Sequence, residues 1–193
     1  MTSGTWPFGW ATGDVTLASE FKKGWGAIAD TTLGGSAANV DMTSIVGTYA
    51  HLLVVAYARS DAATNSVLTN LQFNGDTAAN YDTQRLIGSA ATVVASESFA
   101  ATSMTFGSIA ANTAGANLFG ASITFIPHYA GSANNKAAVS IAAQKNGTAS
   151  GNMSSNVFAG FWRSNAAITR ITLLPASGNF VAGTRVTLYA LGA

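Results

Sequence analysis

From Thr48 onward the apolar positions recur with a period near two, and this predicts strands. Residues 51–59, His-Leu-Leu-Val-Val-Ala-Tyr-Ala-Arg, are apolar on both faces, which predicts a strand covered on both sides in the middle of a sheet. Residues 66–73 form a second run, closed by Asn74-Gly75-Asp76, a strong turn signal. Further runs follow over residues 118–126, 137–143, 157–162, 168–174 and 184–191. In the first of these Ile123 and Phe125 are expected to point inward. In the last, Val186, Leu188 and Ala190 share one face and Arg185, Thr187 and Tyr189 the other. Turn-bounded strands spaced by roughly 10 to 15 residues predict an all-β fold, an antiparallel β-sandwich or jelly roll. No internal repeat of fixed period points to a propeller or solenoid.

The first 47 residues have a different texture. Residues 14–23, Asp-Val-Thr-Leu-Ala-Ser-Glu-Phe-Lys-Lys, predict one short helix. Asp14 or Thr16 can cap it, Leu17 and Phe21 share a face at i, i+4, and Gly24 stops it. Ahead of it, Trp6, Phe8 and Trp10 alternate along a segment broken by Pro7 and Gly9. They either tuck under the strands as a lid or anchor a neighbouring subunit, a role in which Trp is enriched. The expected organisation is an N-terminal arm over residues 1–47, for attachment or oligomerisation, and a β-domain over 48–193. Trp6, Phe8, Trp10, Leu17, Phe21 and Trp25 form the candidate contact set.

Charge sharpens this reading. Only 9% of the 193 residues are charged and the formal net charge is +1, whereas about a quarter of an ordinary domain is charged. Solubility usually leans on net charge, so a surface rich in hydroxyls and amides suits a subunit held in a larger assembly. It argues against nucleic acid, which needs a basic stripe, and Arg59, Arg85, Arg163, Arg170 and Arg185 are scattered singly as solvated or interface residues. Zero cysteines remove disulfides and thiolate chemistry. The longest apolar run, residues 52–58, is far below the about 20 residues a membrane helix needs. No secretory signal is expected at the N-terminus.

Candidate chemistry is sparse. His51 and His128 are the only histidines, and no Gly-x-Ser-x-Gly elbow accompanies them, so both read as strand-end residues. Asp61, Asp76 and Asp82 fall in expected turns. They could gather as a Ca²⁺ site, or as a carboxylate pair working with a histidine on a glycan or ester. Asp in such places is also the default turn former, and no cofactor, metal site or catalytic set is expected. Tyr49, Tyr57, Tyr81, Tyr129 and Tyr189 could stack sugars, but their spread favours structural roles.

Three stretches together resemble virion proteins of tailed bacteriophages. Thr12-Gly-Asp-Val-Thr-Leu-Ala-Ser-Glu-Phe21 is similar to an N-terminal segment of phage minor tail and fibre-type proteins, with Thr16 and Leu17 in reverse order. Residues 49–60, with Leu71-Gln-Phe-Asn-Gly-Asp76 and Asn80-Tyr81, are similar to a strand–turn pattern of phage surface β-domains. Gly183-Thr-Arg-Val-Thr-Leu-Tyr-Ala-Leu-Gly192 is similar to their closing strand. The resemblance implies a non-enzymatic, surface-exposed virion protein, tail- or fibre-associated, with head decoration as the alternative. It implies a homo-oligomer, often a trimer, touching other virion proteins, assembled in the host cytoplasm and released by lysis. A carbohydrate-binding or host-receptor adhesin is a further alternative. The resemblance brings no catalytic residue.

Overall fold

The computed structural model describes residues 24–147, 149 and 152–192. The helix expected over residues 14–23 and the contact residues Trp6, Phe8, Trp10, Leu17 and Phe21 lie outside them. Among the described residues the regular structure is all strand, and no helix is long and apolar enough to cross a membrane. In chain order the strands are β1 (Trp25–Thr32), β2 (Val40–Met42), β3 (Tyr49–Ala58), β4 (Ser66–Phe73), β5 (Tyr81–Ser89) and β6 (Thr92–Ala101). They continue with β7 (Met104–Ala110), β8 (Gly120–Pro127), β9 (Lys136–Lys145), β10 (Met153–Trp162), β11 (Ile171–Pro175) and β12 (Arg185–Gly192).

The strands make two antiparallel sheets, one of eight strands in the order β1-β12-β3-β8-β9-β10-β5-β6 and one of four in the order β2-β11-β4-β7. Between them lies one core built on Leu52, Leu71, Phe73, Ile126, Leu173 and Leu188, each fully buried. As expected from its alternation, β12 turns Val186, Leu188 and Ala190 into that core. The Asn74-Gly75 turn forms with φ of 54° and 71°. It joins β4 to β5, which lie in different sheets, so it is a crossover and not a hairpin.

Two expectations need correction. The boundary at 47/48 does not separate an arm from the sheets, because β1 pairs with β12 and β2 with β11. Side chains reinforce both pairings: Arg185 donates twice to Asp30 (3.0 and 2.8 Å), and Arg170 donates twice to Asp41 (3.1 and 2.7 Å). The second correction concerns β8, where Ile123 and Phe125 point away from the core and Ser122, Thr124 and Ile126 point into it. The reason is spacing. β7 lies so close over β8 and β10 that a Cβ on Gly107 would meet Ser122 Cβ at 3.4 Å, one on Gly120 the Ser108 carbonyl oxygen at 2.6 Å, and one on Gly160 the Met104 side chain. Only small side chains fit beneath it. Thr124 and Ser140 fill that space and satisfy each other through a 3.0 Å hydrogen bond between their hydroxyls.

Candidate interaction surface

Because the inner positions under β7 (Ser122, Thr124, Ser140, Ala142 and Gly160) are small, Ile123, Ile141, Val139 and Val157 fall on the outer face, while Ile126, Phe158 and Trp162 enter the core. β10 alternates without a break: Met153, Ser155, Val157, Ala159 and Phe161 are exposed, and Ser154, Asn156, Phe158, Gly160 and Trp162 are buried. Register then lines up the exposed residues across strands. One cross-strand row runs Val55, Ile123, Ile141, Val157, Leu86. The next runs Leu53, Phe125, Val139, Ala159. A third runs Tyr57, Ala121, Ala143, Ser155. Ile141, at the centre, is 65% exposed, and Val139 beside it is 52% exposed.

No charged residue interrupts these three rows over β3, β8, β9 and β10. Charges border the rows in the Asp30–Arg185 pair, in the Arg163–Asp82 pair at 3.3 Å, and in the exposed Lys145 at the end of β9. Arg163 also sits over the exposed Phe99 ring at 4.8 Å. Trp25, the one contact candidate among the described residues, lies on β1 with its ring edge-on to Phe125 at 6.2 Å. The chain therefore reaches the sheet at the margin of this apolar face. Isolated exposed apolar residues are ordinary, but monomers seldom expose a contiguous apolar patch beyond a few hundred Å². Seven strand spacings of about 4.8 Å and a depth of about 20 Å make the whole sheet face about 700 Å².

The carboxylates singled out from the sequence are not brought together. Asp61 follows β3 at one end of the sheets, whereas Asp76 and Asp82 lie at the other, and no cluster of His, Asp and Glu suited to a metal occurs among the described residues. Each carboxylate holds a turn or strand end in place. Asp61 accepts from the Asn179 amide at 2.7 Å. Asp82 accepts from the Ala100 amide at 2.9 Å. Asp76 accepts from Trp162 Nε1 at 2.7 Å and from Asn80 and the Ala78 amide at 2.9 Å. Burial alone would raise the Asp76 pKa, but these three donors outweigh it and leave the carboxyl below its ordinary value. Asp41 is held low chiefly by the Arg170 guanidinium.

The histidines pair with each other. Their rings meet edge-on at 5.7 Å, and the His128 amide donates to His51 Nδ1 at 3.2 Å. Neither ring bonds a carboxylate among the described residues. Arg59, expected as a solvated or interface residue, is instead a clamp: it donates to the carbonyls of Gly115 (2.8 Å), Leu118 (2.9 Å) and Ala114 (3.2 Å), fixing the loop before β8. The tyrosines do not converge either. Tyr81 and Tyr129 are fully buried, and Tyr57 stacks on Phe119 at 4.9 Å. Burial pushes the Tyr81 hydroxyl up to about 12.

The apolar outer face was hidden from the sequence by one inversion. Its signal was present in Ser122, Thr124, Ser140, Ser154 and Asn156, polar residues that alternate with Ile123, Ile141 and Val157 on adjacent strands. No family model matches the chain, and no curated protein matches it.

Proposed function

We propose that this chain is a non-enzymatic structural subunit that works by assembly, and that the outer face of its eight-stranded sheet packs against a second copy of itself. The observation that carries this is the uncharged set of cross-strand rows through Ile123, Ile141 and Val157, with polar residues turned inward on the same strands. Burying such a face stabilises association by about 25 cal/mol per Å² of apolar area, before the cost of immobilising the partner. The whole sheet face, about 700 Å², is close to the about 800 Å² per partner that a standard interface covers, and the uncharged rows form its middle four strands. Another copy fits better than a charged partner, because the rows offer a charged group nothing to pair with.

The two sheets read as a β-sandwich of jelly-roll type, whose connections cross between sheets at β3–β4 and β4–β5. The setting we infer is the surface of a tailed-bacteriophage virion, as the three similar stretches imply. A closed oligomer, three copies by the resemblance, joins a tail or fibre, with head decoration as the second placement. Trp6, Phe8, Trp10, Leu17, Phe21 and Trp25 extend the contact toward neighbouring subunits or other virion proteins.

Sedimentation of the purified chain and of Ile141→Lys tests the assembly. The wild type is expected as a closed oligomer and the variant as a folded monomer, since Ile141 contributes nothing to the core. A wild-type chain monomeric at high micromolar concentration would sink the proposal. Antibody labelling of intact particles tests the setting. Tens of copies on the tail fit the first placement and hundreds on the head the second, whereas absence from particles overturns the virion reading.

A further inference from the structure

Between the two sheets, away from the apolar outer face, a cleft of about 240 Å³ opens at the end where β9 leads toward β10. Its large-sheet wall carries Gln144, Ser154 and Ser89, which lie in register across β9, β10 and β5. Its small-sheet wall carries Ser66, Leu68 and Ser108 from β4 and β7. Every lining residue is uncharged.

Among the described residues, several of the amide atoms here have no hydrogen-bond partner. Asn156 is 1% exposed, yet both its Oδ1 and its Nδ2 lack a hydrogen-bond partner among the described residues. Gln144 Oε1 and Asn146 Oδ1 are in the same position. Buried amides are nearly always paired, and an unpaired one carries the full cost of leaving water. Four such atoms around one opening are left by the described residues to be met by water or by a ligand. The unfilled set contains acceptors and a donor, so the ligand must both donate and accept. An ion is disfavoured, because no lining side chain carries an opposite charge. A purely apolar ligand is disfavoured, because it would leave all four amide atoms dry.

We propose that this cleft is a binding site for a neutral sugar unit. Hydroxyls on a pyranose ring both donate and accept, so they can satisfy the Asn156 amide through both of its atoms, with Gln144 and Asn146 taking further hydroxyls. Leu68 and Ile87 supply apolar surface for the C–H side of the ring. The cleft suits one ring and not a long chain laid flat, so recognition is of a terminal or protruding residue. The cleft lies between the sheets and reaches the outer face only at Met153, away from the rows around Ile141.

The test is a titration of the full chain with a panel of free neutral mono- and disaccharides, on the order of tens of millimolar, followed through the side-chain NH₂ resonances of Asn156 and Gln144. At least one sugar should shift both signals saturably, and glucuronate should shift neither. Asn156→Leu should weaken that sugar by about tenfold or more. If Asn156→Leu does not fold, Gln144→Ala serves in its place with the same expectation. The proposal is overturned if no sugar of the panel moves these resonances and only water contacts the amides. It is equally overturned if the variant binds as tightly as the wild type.

Discussion

At Gly120 an added methyl group would sit 2.6 Å from the Ser108 carbonyl oxygen and 2.8 Å from Ile109 Cα, both backbone atoms that cannot swing aside. Gly120→Ala should therefore destabilise the chain by about 1–3 kcal/mol, measured by urea denaturation. The same closeness set the residue sizes beneath β7, so this one substitution probes the spacing that turned Ile123 outward. Single residues also set the limits in pH. A carboxyl whose pKa is lowered by folding contributes stability above its unfolded value, and loses it as pH falls through the folded value. Asp76 and Asp41 are both lowered, so stability should decline once the pH drops below their ordinary value of 3.8, and Asp76→Asn should flatten that acid limb. Tyr81 behaves in the opposite sense. Its hydroxyl is raised from 10.0 to about 12, so stability is fully present below pH 10 and is lost as pH climbs toward 12. Tyr81→Phe should remove most of that alkaline loss, at the cost of the 2.9 Å bond from the Phe73 amide. Thermal unfolding across both pH ranges checks the pair.

Elements with one buried face were legible from sequence, and elements without one were not. β3, β4 and β12 alternate or run apolar because one side meets the core, and their positions follow from residues 51–59, 66–73 and 184–191. β3, expected to be covered on both sides, is covered on one, with Leu53, Val55 and Tyr57 on the outer face. β6 gave no such signal: it is the outermost strand of the eight-stranded sheet, and nearly all its residues are exposed. β7 failed for the contrary reason, since almost every residue is buried and alternation vanishes. β1 and β2 were absorbed into an expected arm because a three-residue strand and an exposed edge strand carry little pattern. In β8 the alternation was readable but its sense was not, because bulk normally marks the core side and here the narrow gap under β7 reversed it. The position of β6 has a consequence of its own. Among the described residues no strand pairs with the outer edge of β6, and an edge bearing Val93, Val94 and Phe99, with Glu97 as the only charge on the strand, invites another strand to pair with it. Val93→Lys should reduce aggregation on storage, followed by light scattering. It should leave stability within about 0.5 kcal/mol, because Val93 is 73% exposed.

For the whole molecule, the scarcity of charge was legible at once, whereas the place where it matters required the register of four strands. Composition alone predicted a neutral surface. Pairing concentrated that neutrality into rows on β3, β8, β9 and β10 and moved the charges to the flanks, as in Asp30–Arg185 and Asp82–Arg163. This distribution fixes how self-association must respond to salt. Contacts between charged surfaces weaken as salt shortens the Debye length from about 10 Å at 0.1 M to about 3 Å at 1 M. Burial of apolar area is indifferent to that screening and is strengthened by excluded salts such as sulfate. Sedimentation equilibrium should accordingly give the same dissociation constant at 0.1 M and 1 M sodium chloride, and tighter association in sodium sulfate. The heat capacity of association should be negative, as apolar burial requires. If sodium chloride instead dissolves the oligomer, its contacts run through the flanking ion pairs, and the rows around Ile141 are not the interface.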